Sequence, residues 1–588
     1  MKNNGQIINK LFRNSVVSII AAAIATMIGI VIDGIVIGRF LGTTSMAAYG
    51  LVTPIINLTT VFSGILASGA QINCAQHLGA GSVDKARRVF SMCMLITVVI
   101  STIIMTEILV FRNEIAMVLG APANSELLSD TSDYLLGVVF SFPCVLFLFE
   151  FNALMRLDGD ANRVIVAVVV MTLMDIVGDL VNALVIHGGM LGMGLTTSMS
   201  YFTALVIMLL HFTKKDIIFK FSLKGLKFKH LIGLFTTGSS SAVGSASAML
   251  RNTALNRIMI ASAFSSAAVA ALGVVNTVIN FTSSTMMGVA MTTAMIAGMI
   301  LGERDRVAAE KLVRVTIKTA LLVSGTLAVL LLVFAESIAG LFGSADGADM
   351  VNLATRGLRF YALSTLFYGL NVAFVNYTQG MKRMVISNIF CFLENFVFIV
   401  LPALVLFGAL DTDAVWLAFL VGESLQLLSI FIFAAIRKRG IPYRIKDFLF
   451  LKEPFGVSED NLLDFSVSTA EEVIPASENV EKFCSDRGAT AKESMMMALC
   501  VEELCNNIIT YGFADKKNHS IDVRVIKLDD GWTLRIRDNC TKFDPLEWAK
   551  ANETDDRTKN IGINMVSGMA KDIKYISTMD LNNLTVTI

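Results

Sequence analysis

Apolar residues run in long unbroken stretches over the first three quarters of the chain and in short alternations over the last quarter. Stretches such as "VVSIIAAAIATMIGIVIDGIVIG" (16–38) and "MLITVVISTIIMTEILVF" (94–111) reach the length a helix needs to cross a bilayer. Twelve spans are predicted, near 15–38, 47–77, 89–110, 131–151, 163–186, 191–212, 231–260, 268–300, 313–334, 357–378, 385–408 and 412–436. From about residue 457 the period shortens. "SIDVRVIKLDDGWTLRIRD" (520–538) alternates on both sides of an Asp-Gly turn, a hairpin pattern, and helical patterns at 478–513 and 562–573 flank it. The expectation is an all-α polytopic membrane protein over 1–440, a juxtamembrane linker over 441–461, and a small α+β domain over 462–588.

The loops give an orientation. Basic residues gather at the N-terminus, at Lys85/Arg87/Arg88, Arg156/Arg163, Lys214 to Lys229, Arg304/Arg306/Lys311, Lys382/Arg383 and Arg437/Lys438/Arg439, which are alternate loops. By the positive-inside rule both ends of the chain are then cytoplasmic, in an inner (plasma) membrane. The membrane part also repeats. "IDGIVIGRFLGTTSMAAYGLVTPIIN" (32–57) aligns without gaps on "LNRIMIASAFSSAAVAALGVVNTVIN" (255–280). Two homologous six-helix lobes are expected, about 10–215 and 230–437, an arrangement suited to a transporter whose halves rock around a central site.

Composition agrees with two solvents. The chain has 588 residues, 54% hydrophobic and 16% charged, with a mean hydropathy of +0.67. Its net charge is zero, but the membrane part has an excess of base and the last quarter an excess of acid. The eight cysteines form no CxxC motif and lie mostly in apolar helices, which argues against a zinc site or a disulfide framework. No feature points to nucleic acid.

Ionisable residues inside spans are costly and therefore candidates for function. They are Asp33 in the first span, Glu150 in the fourth, Asp175 and Asp179 in the fifth, Arg251 and Arg257 in the seventh, Glu394 in the eleventh and Glu423 in the twelfth. Asp175 and Asp179 share a helical face. With Asp33 they can form a carboxylate cluster that binds Na+ or holds a proton. Glu150 and Glu423 fall near span ends and are expected to reach water. Arg251 is an alternative, purely structural partner for Asp33. Asn256 occupies the position of Asp33 in the second repeat, so a single cation site in the first half is expected.

"VIDGIVIGRFLGTTSMAAYGLVTPI", "GILASGAQINCAQHLGAGSVDKARRVF" (64–90), "LMRLDGDANRVI" (154–165) and "DIVGDLVNALVIHG" (175–188) resemble the multidrug and toxic compound extrusion (MATE) transporters over roughly residues 10–440. The resemblance implies a twelve-helix, two-lobe antiporter that expels small organic, often cationic, compounds in exchange for Na+ or H+. The family's cation site, a first-helix acid and a fifth-helix Asn-x-x-x-Asp pattern, falls here on Asp33, Asp175 and Asp179. Asp175 stands where Asn is usual.

In the last quarter, Glu503, Asn507 and Tyr511 are four apart and are expected to line one helical face. Asp538 closes a hairpin strand, and Gly562 opens a helix whose free N–H groups suit phosphate. This order resembles the GHKL ATPase fold of histidine kinases and some chaperones, above all its anti-sigma-factor serine kinase branch. The resemblance makes Glu503 the general base, Asn507 the Mg2+ ligand, Asp538 the adenine reader and Gly562 part of the phosphate lid, with ATP and Mg2+ as cofactors. Cys540 and Asn560 replace expected glycines, which leaves open a domain that binds nucleotide without chemistry. Two readings follow: an antiporter with a regulatory ATP-binding tail, or a membrane-anchored Ser/Thr kinase acting on an anti-sigma-antagonist-like (STAS) protein. The GxxxxGK[ST] phosphate loop is missing, so the tail is a poor engine for transport.

Overall fold

The computed structural model describes residues 6–342, 348–513, 519–528, 531–544, 547, 566, 568 and 570–588. Its first lobe is built from α1 (Gln6–Val36), α2 (Thr43–Gly79), α3 (Val83–Val118), α4 (Glu126–Val138), α5 (Ser141–Leu157), α6 (Ala161–Val181) and α7 (Gly189–Leu209). The second contains α8 (Phe228–Ile260), α9 (Ser265–Glu303), α10 (Arg306–Leu341), α11 (Ala348–Gly380), α12 (Met384–Phe392), α13 (Phe398–Leu410) and α14 (Thr412–Lys438). Among the described residues ten helices, with α12 and α13 joined in one, are long and apolar enough to cross a membrane, and the α4–α5 pair, bent by 47°, makes an eleventh. The remaining predicted span is α8, a helix of 33 residues whose serines, threonines and glycines make it less apolar than the rest.

Each lobe breaks its first helix at matching places. Gly42 (φ 98°) and Ser265 (φ 29°) both lie in the left-handed region just where α2 and α9 begin, as the aligned repeats require. Outward faces are apolar: Val98, Ile103 and Val110 on one lobe, and Leu322, Val329 and Val333 on the other, are exposed. Such a surface fits a lipid solvent, which satisfies no polar group.

Three buried clusters define the shape. One is confined to the first lobe, around Val36, Ile108, Tyr134 and Phe142. A second is confined to the other lobe, around Leu272, Leu358, Trp416 and Phe419. The third joins both lobes, from Leu66, Cys74 and Leu154 to Leu234, Met295 and Tyr377, and takes in Leu449, Leu451, Phe455 and Met579. The lobes therefore pack together on the side that carries the tail. Small residues allow this contact. A Cβ at Gly79 would sit 2.1 Å from the Met299 carbonyl oxygen, and one at Gly302 2.1 Å from that of Gln76. Lys382 Nζ also donates to Asn73 Oδ1 across the seam at 2.6 Å.

The linker is docked on the second lobe. Tyr377 donates to the Leu449 carbonyl at 3.0 Å, Arg383 to that of Phe450 at 2.8 Å, and the Phe450 ring packs on Phe374 and Phe433. The tail contains β1 (Leu462–Val467), α15 (Val473–Ser485), α16 (Ala491–Asn507), β2 (Ile521–Leu528), β3 (Gly531–Asp538), β4 (Asp572–Thr578) and β5 (Leu581–Thr587). All strand pairs are antiparallel, in the order β1-β2-β3-β5-β4. Cross-strand partners Phe465, Val523, Ile536 and Leu584 share one face with Val525, Leu534 and Val586, and α15 and α16 cover it. The opposite face presents Asp464, Arg524 and Arg535 in one row and Ser466, Asp522 and Arg537 in the next. An alternating strand ordinarily offers such a face to water. Here Arg524 is only 4% exposed and Arg537 8%.

Candidate functional site

In the first lobe, α1 and α6 bring Asp33 against Asp175 and Asp179. Asp175 is 8% exposed and Asp179 fully buried, and both face α7. Ser200 donates to Asp175 at 3.0 Å and Thr196 to Asp179 at 2.6 Å. Asp33 Oδ1 and Asp179 Oδ2 have no hydrogen-bond partner among the described residues. Three carboxyls thus share a low-dielectric site with no basic side chain in contact among the described residues, a state that calls for a cation or proton. Tyr49, Tyr134 and Tyr201 surround them, with the first two rings edge-to-face at 5.7 Å. Among the described residues, no group of three His, Cys, Asp or Glu side chains has metal-ligand geometry. Sequence reading found the acids but missed the hydroxyls of α7, since Ser and Thr are common in spans and carry no signal alone.

Arg251 lies in the other lobe. It faces Glu394, Glu423, Tyr361 and Tyr368, so it is not the partner of Asp33. Glu423 does not reach water as expected: it is 6% exposed and accepts from Asn371 at 2.8 Å. Glu150 is fully buried and accepts from Thr97. Both were placed near span ends, but α5 and α14 extend well beyond each acid, so the helix carries it inward.

In the tail, Asn507 Nδ2 donates to Glu503 Oε1 at 2.9 Å, while Glu502 turns to Ser477 of α15. The expected continuation of this face to Tyr511 is absent. Residues Ile508–Gly512 widen into a π-helical turn, which shifts the register by a residue and leaves Tyr511 76% exposed. Asp538 ends β3, 5% exposed. Its Oδ1 accepts from Asn582 Nδ2 at 2.9 Å and from the Cys540 N–H at 2.9 Å, and the Cys540 thiol bonds to the same carboxyl. Burial pushes Asp538 above the usual carboxylate range despite these donors. Asn582 in turn accepts from Tyr575 at 2.6 Å. Cys540 therefore sits beside the proposed adenine reader, with its Sγ 2.8 Å from where a Cβ at Gly512 would stand. The sequence held a faint sign of Asn582, a polar pair inside the alternating "LNNLTVTI". Asn560 and Gly562 lie outside the described residues.

Two helical lobes, the first holding a carboxyl cluster, continued by a sheet with helices on one face, define a membrane transporter joined to an ATPase-like domain. The MatE family model matches residues 18–181 and 225–402, and the model of the histidine kinase-like ATPase domain matches residues 467–588. The chain belongs to the MATE family and carries a histidine kinase-like ATPase domain behind its transporter. The probable multidrug resistance protein YoeA of Bacillus subtilis is 21% identical over 362 residues, 60% of this chain and 77% of that protein. The multidrug export protein MepA of Staphylococcus haemolyticus is 23% identical over 406 residues, 68% and 88% of the two chains. An outward-facing multidrug resistance MATE transporter of the MOP superfamily superposes with a TM-score of 0.68 at 20% identity, over 73% of this chain and 95% of that one. A MOP superfamily transporter from Pyrococcus furiosus gives the same values. At these identities the structures show the fold.

Proposed function

We propose that the chain exports small organic compounds, cationic or amphipathic, in exchange for Na+ or H+. The observation that carries this reading is the group of buried Asp175 and Asp179 with half-buried Asp33, in which two oxygens have no hydrogen-bond partner among the described residues. Apolar surroundings and mutual repulsion make the group a strong trap for a cation, and the hydroxyls of Thr196 and Ser200 hold two of its carboxyls in place. Its relatives' names, multidrug export and resistance proteins, support the class of cargo. Dye efflux from cells is the test: Asp33→Asn is expected to lower it by about tenfold or more, and efflux at the wild-type rate would overturn the reading.

The tail takes ATP on the cytoplasmic side of a plasma membrane. Asn507 holds the Mg2+ and Asp538 the adenine amino group, with Gly562 belonging to the phosphate lid. Bound ATP-Mg2+ supplies a transferable phosphoryl group, and Glu503, fixed by Asn507, is placed to accept a proton from a nucleophile. The tail regulates the transporter. Calorimetry on the full chain tests this, with binding that requires Mg2+ as the expected result. A second reading, phosphorylation of Ser or Thr on an anti-sigma-antagonist-like partner, rests on the same Glu503–Asn507 pair. It wins if Glu503→Ala removes transfer to such a partner while neither this change nor Asp33→Asn affects efflux.

A further inference from the structure

The tail touches both lobes, through two different parts of its sheet. Its polar face rests on the turn between α9 and α10 in the second lobe. Arg524 and Arg535 converge on Asp305, the latter at 3.0 Å. Arg535 also reaches Glu303 at 2.7 Å, and Arg537 bonds to the same acid. Lys311 of α10 meets Asp464 of β1 at 3.6 Å. The two transporter acids are nearly sealed, with side chains 3% and 1% exposed. Burial alone would raise Asp305, but the guanidiniums of Arg524 and Arg535 prevail and hold it well below the usual carboxylate range.

The β4–β5 turn reaches the first lobe instead. Thr578 Oγ1 donates to the Leu157 carbonyl at 2.6 Å, and the Met579 N–H to the same oxygen at 3.0 Å. Met579 is 2% exposed in the core shared by both lobes. Asp580 lies so close to Gly159 that a Cβ there would be 2.7 Å from its Oδ1. Leu157 ends α5 and Glu303 ends α9, so one rigid five-stranded sheet spans the seam on the side where the lobes pack.

We propose that the tail is a two-legged staple: its arginine face grips Glu303 and Asp305, its β4–β5 turn grips Leu157 and Gly159, and the lobes separate on this side only after one leg lets go. The inference rests on the transport reading above, in which the lobes alternate; it does not need nucleotide. A sheet whose strands are fixed by hydrogen bonds cannot stretch with a widening gap, so closure of the lobes and docking of both legs are one event. Once a leg is free, its charged groups reach water, and the cost of burying them disappears.

The test uses the full chain in lipid nanodiscs, with spin labels introduced at the exposed positions Lys85 of α3 and Arg314 of α10, one on each lobe, in a Cys540→Ser background. One variant loosens the first leg, Glu303→Gln with Asp305→Asn, where Asn keeps the cap that Asp305 gives Ala308 at 2.7 Å. The other loosens the second leg, Thr578→Ala with Met579→Asp. Each variant is expected to raise the long-distance population several-fold, and the two combined no further, because with one leg free the sheet no longer spans the seam rigidly, even though the linker stays docked on the second lobe. Additive effects would overturn the proposal, as would unchanged distances in both variants. The Asp33→Asn efflux assay is separate, so failure of the transport reading is seen independently of the staple.

Discussion

The molecule buries two groups of acids, and they are opposites. Asp33, Asp175 and Asp179 meet one another and the hydroxyls of α7, and leave two oxygens without partners among the described residues. Glu303 and Asp305 meet three arginines. Both groups violate the rule that charge stays in water, yet the remedy differs. The second is compensated within the chain and works as a joint. The first has no such compensation among the described residues, which is what a coupling site requires, as proposed above. A buried acid is thus a functional candidate only once its partners are known.

The sharpest way to break this contrast is exchange of the acids. Asp33→Asn is expected to lower dye efflux by about tenfold or more, some 1.4 kcal/mol in coupling free energy, with the fold intact by circular dichroism. Asp305→Ala is expected to leave the cation site alone and destabilise the full chain, by up to ~3 kcal/mol in thermal unfolding, because Arg524 and Arg535 lose their shared acid. The loss falls short of this limit to the extent that the tail undocks. If Asp305→Ala stops transport outright while stability holds, the two groups are not opposites.

Smaller effects sharpen the tail. Cys540→Gly removes the thiol from Asp538 and is expected to tighten nucleotide binding by about 1 kcal/mol in calorimetry. An unchanged affinity would mean that the thiol never competes with adenine. The smallest effect concerns pH. Asp305 is depressed in the folded chain, so its stabilising contribution is present above the ordinary carboxylate pKa and lost only as pH falls through the lower folded value. Asp538 is raised, so stability falls as pH climbs through its window above the ordinary value. The contribution of the Asp305–arginine pairs to docking, followed as the difference in protease cleavage of 441–461 between wild type and Asp305→Ala, is therefore expected to stay flat from about pH 5 to 8. A change in this difference within that range would break the assignment of Asp305 as a paired acid.

Much of this was legible along the chain. Long apolar runs made the spans visible, and the shared register of 32–57 and 255–280 anticipated matching helix breaks at Gly42 and Ser265. Spacing alone singled out Glu503 over Glu502, and in the structure Glu503 pairs with Asn507 while Glu502 turns to Ser477. Tyr511 failed because a π-helical turn changes the period that the spacing assumed. Glu150 and Glu423 failed because depth depends on how far a helix extends past the acid, and hydropathy marks span ends loosely.

The sequence by itself determined which faces are apolar and which polar, since periods of 3.6 and 2 are local properties of helix and strand. It also placed Asp33, Asp175 and Asp179 within spans. What it could not determine is what each polar face meets. Along the chain the arginines of β2 and β3 are only the polar positions of an alternating hairpin, and only docking puts Arg535 against Asp305, 230 residues away. Such pairing is set by the packing of whole elements, where desolvation and complementary charge are weighed together, and no local pattern records the result.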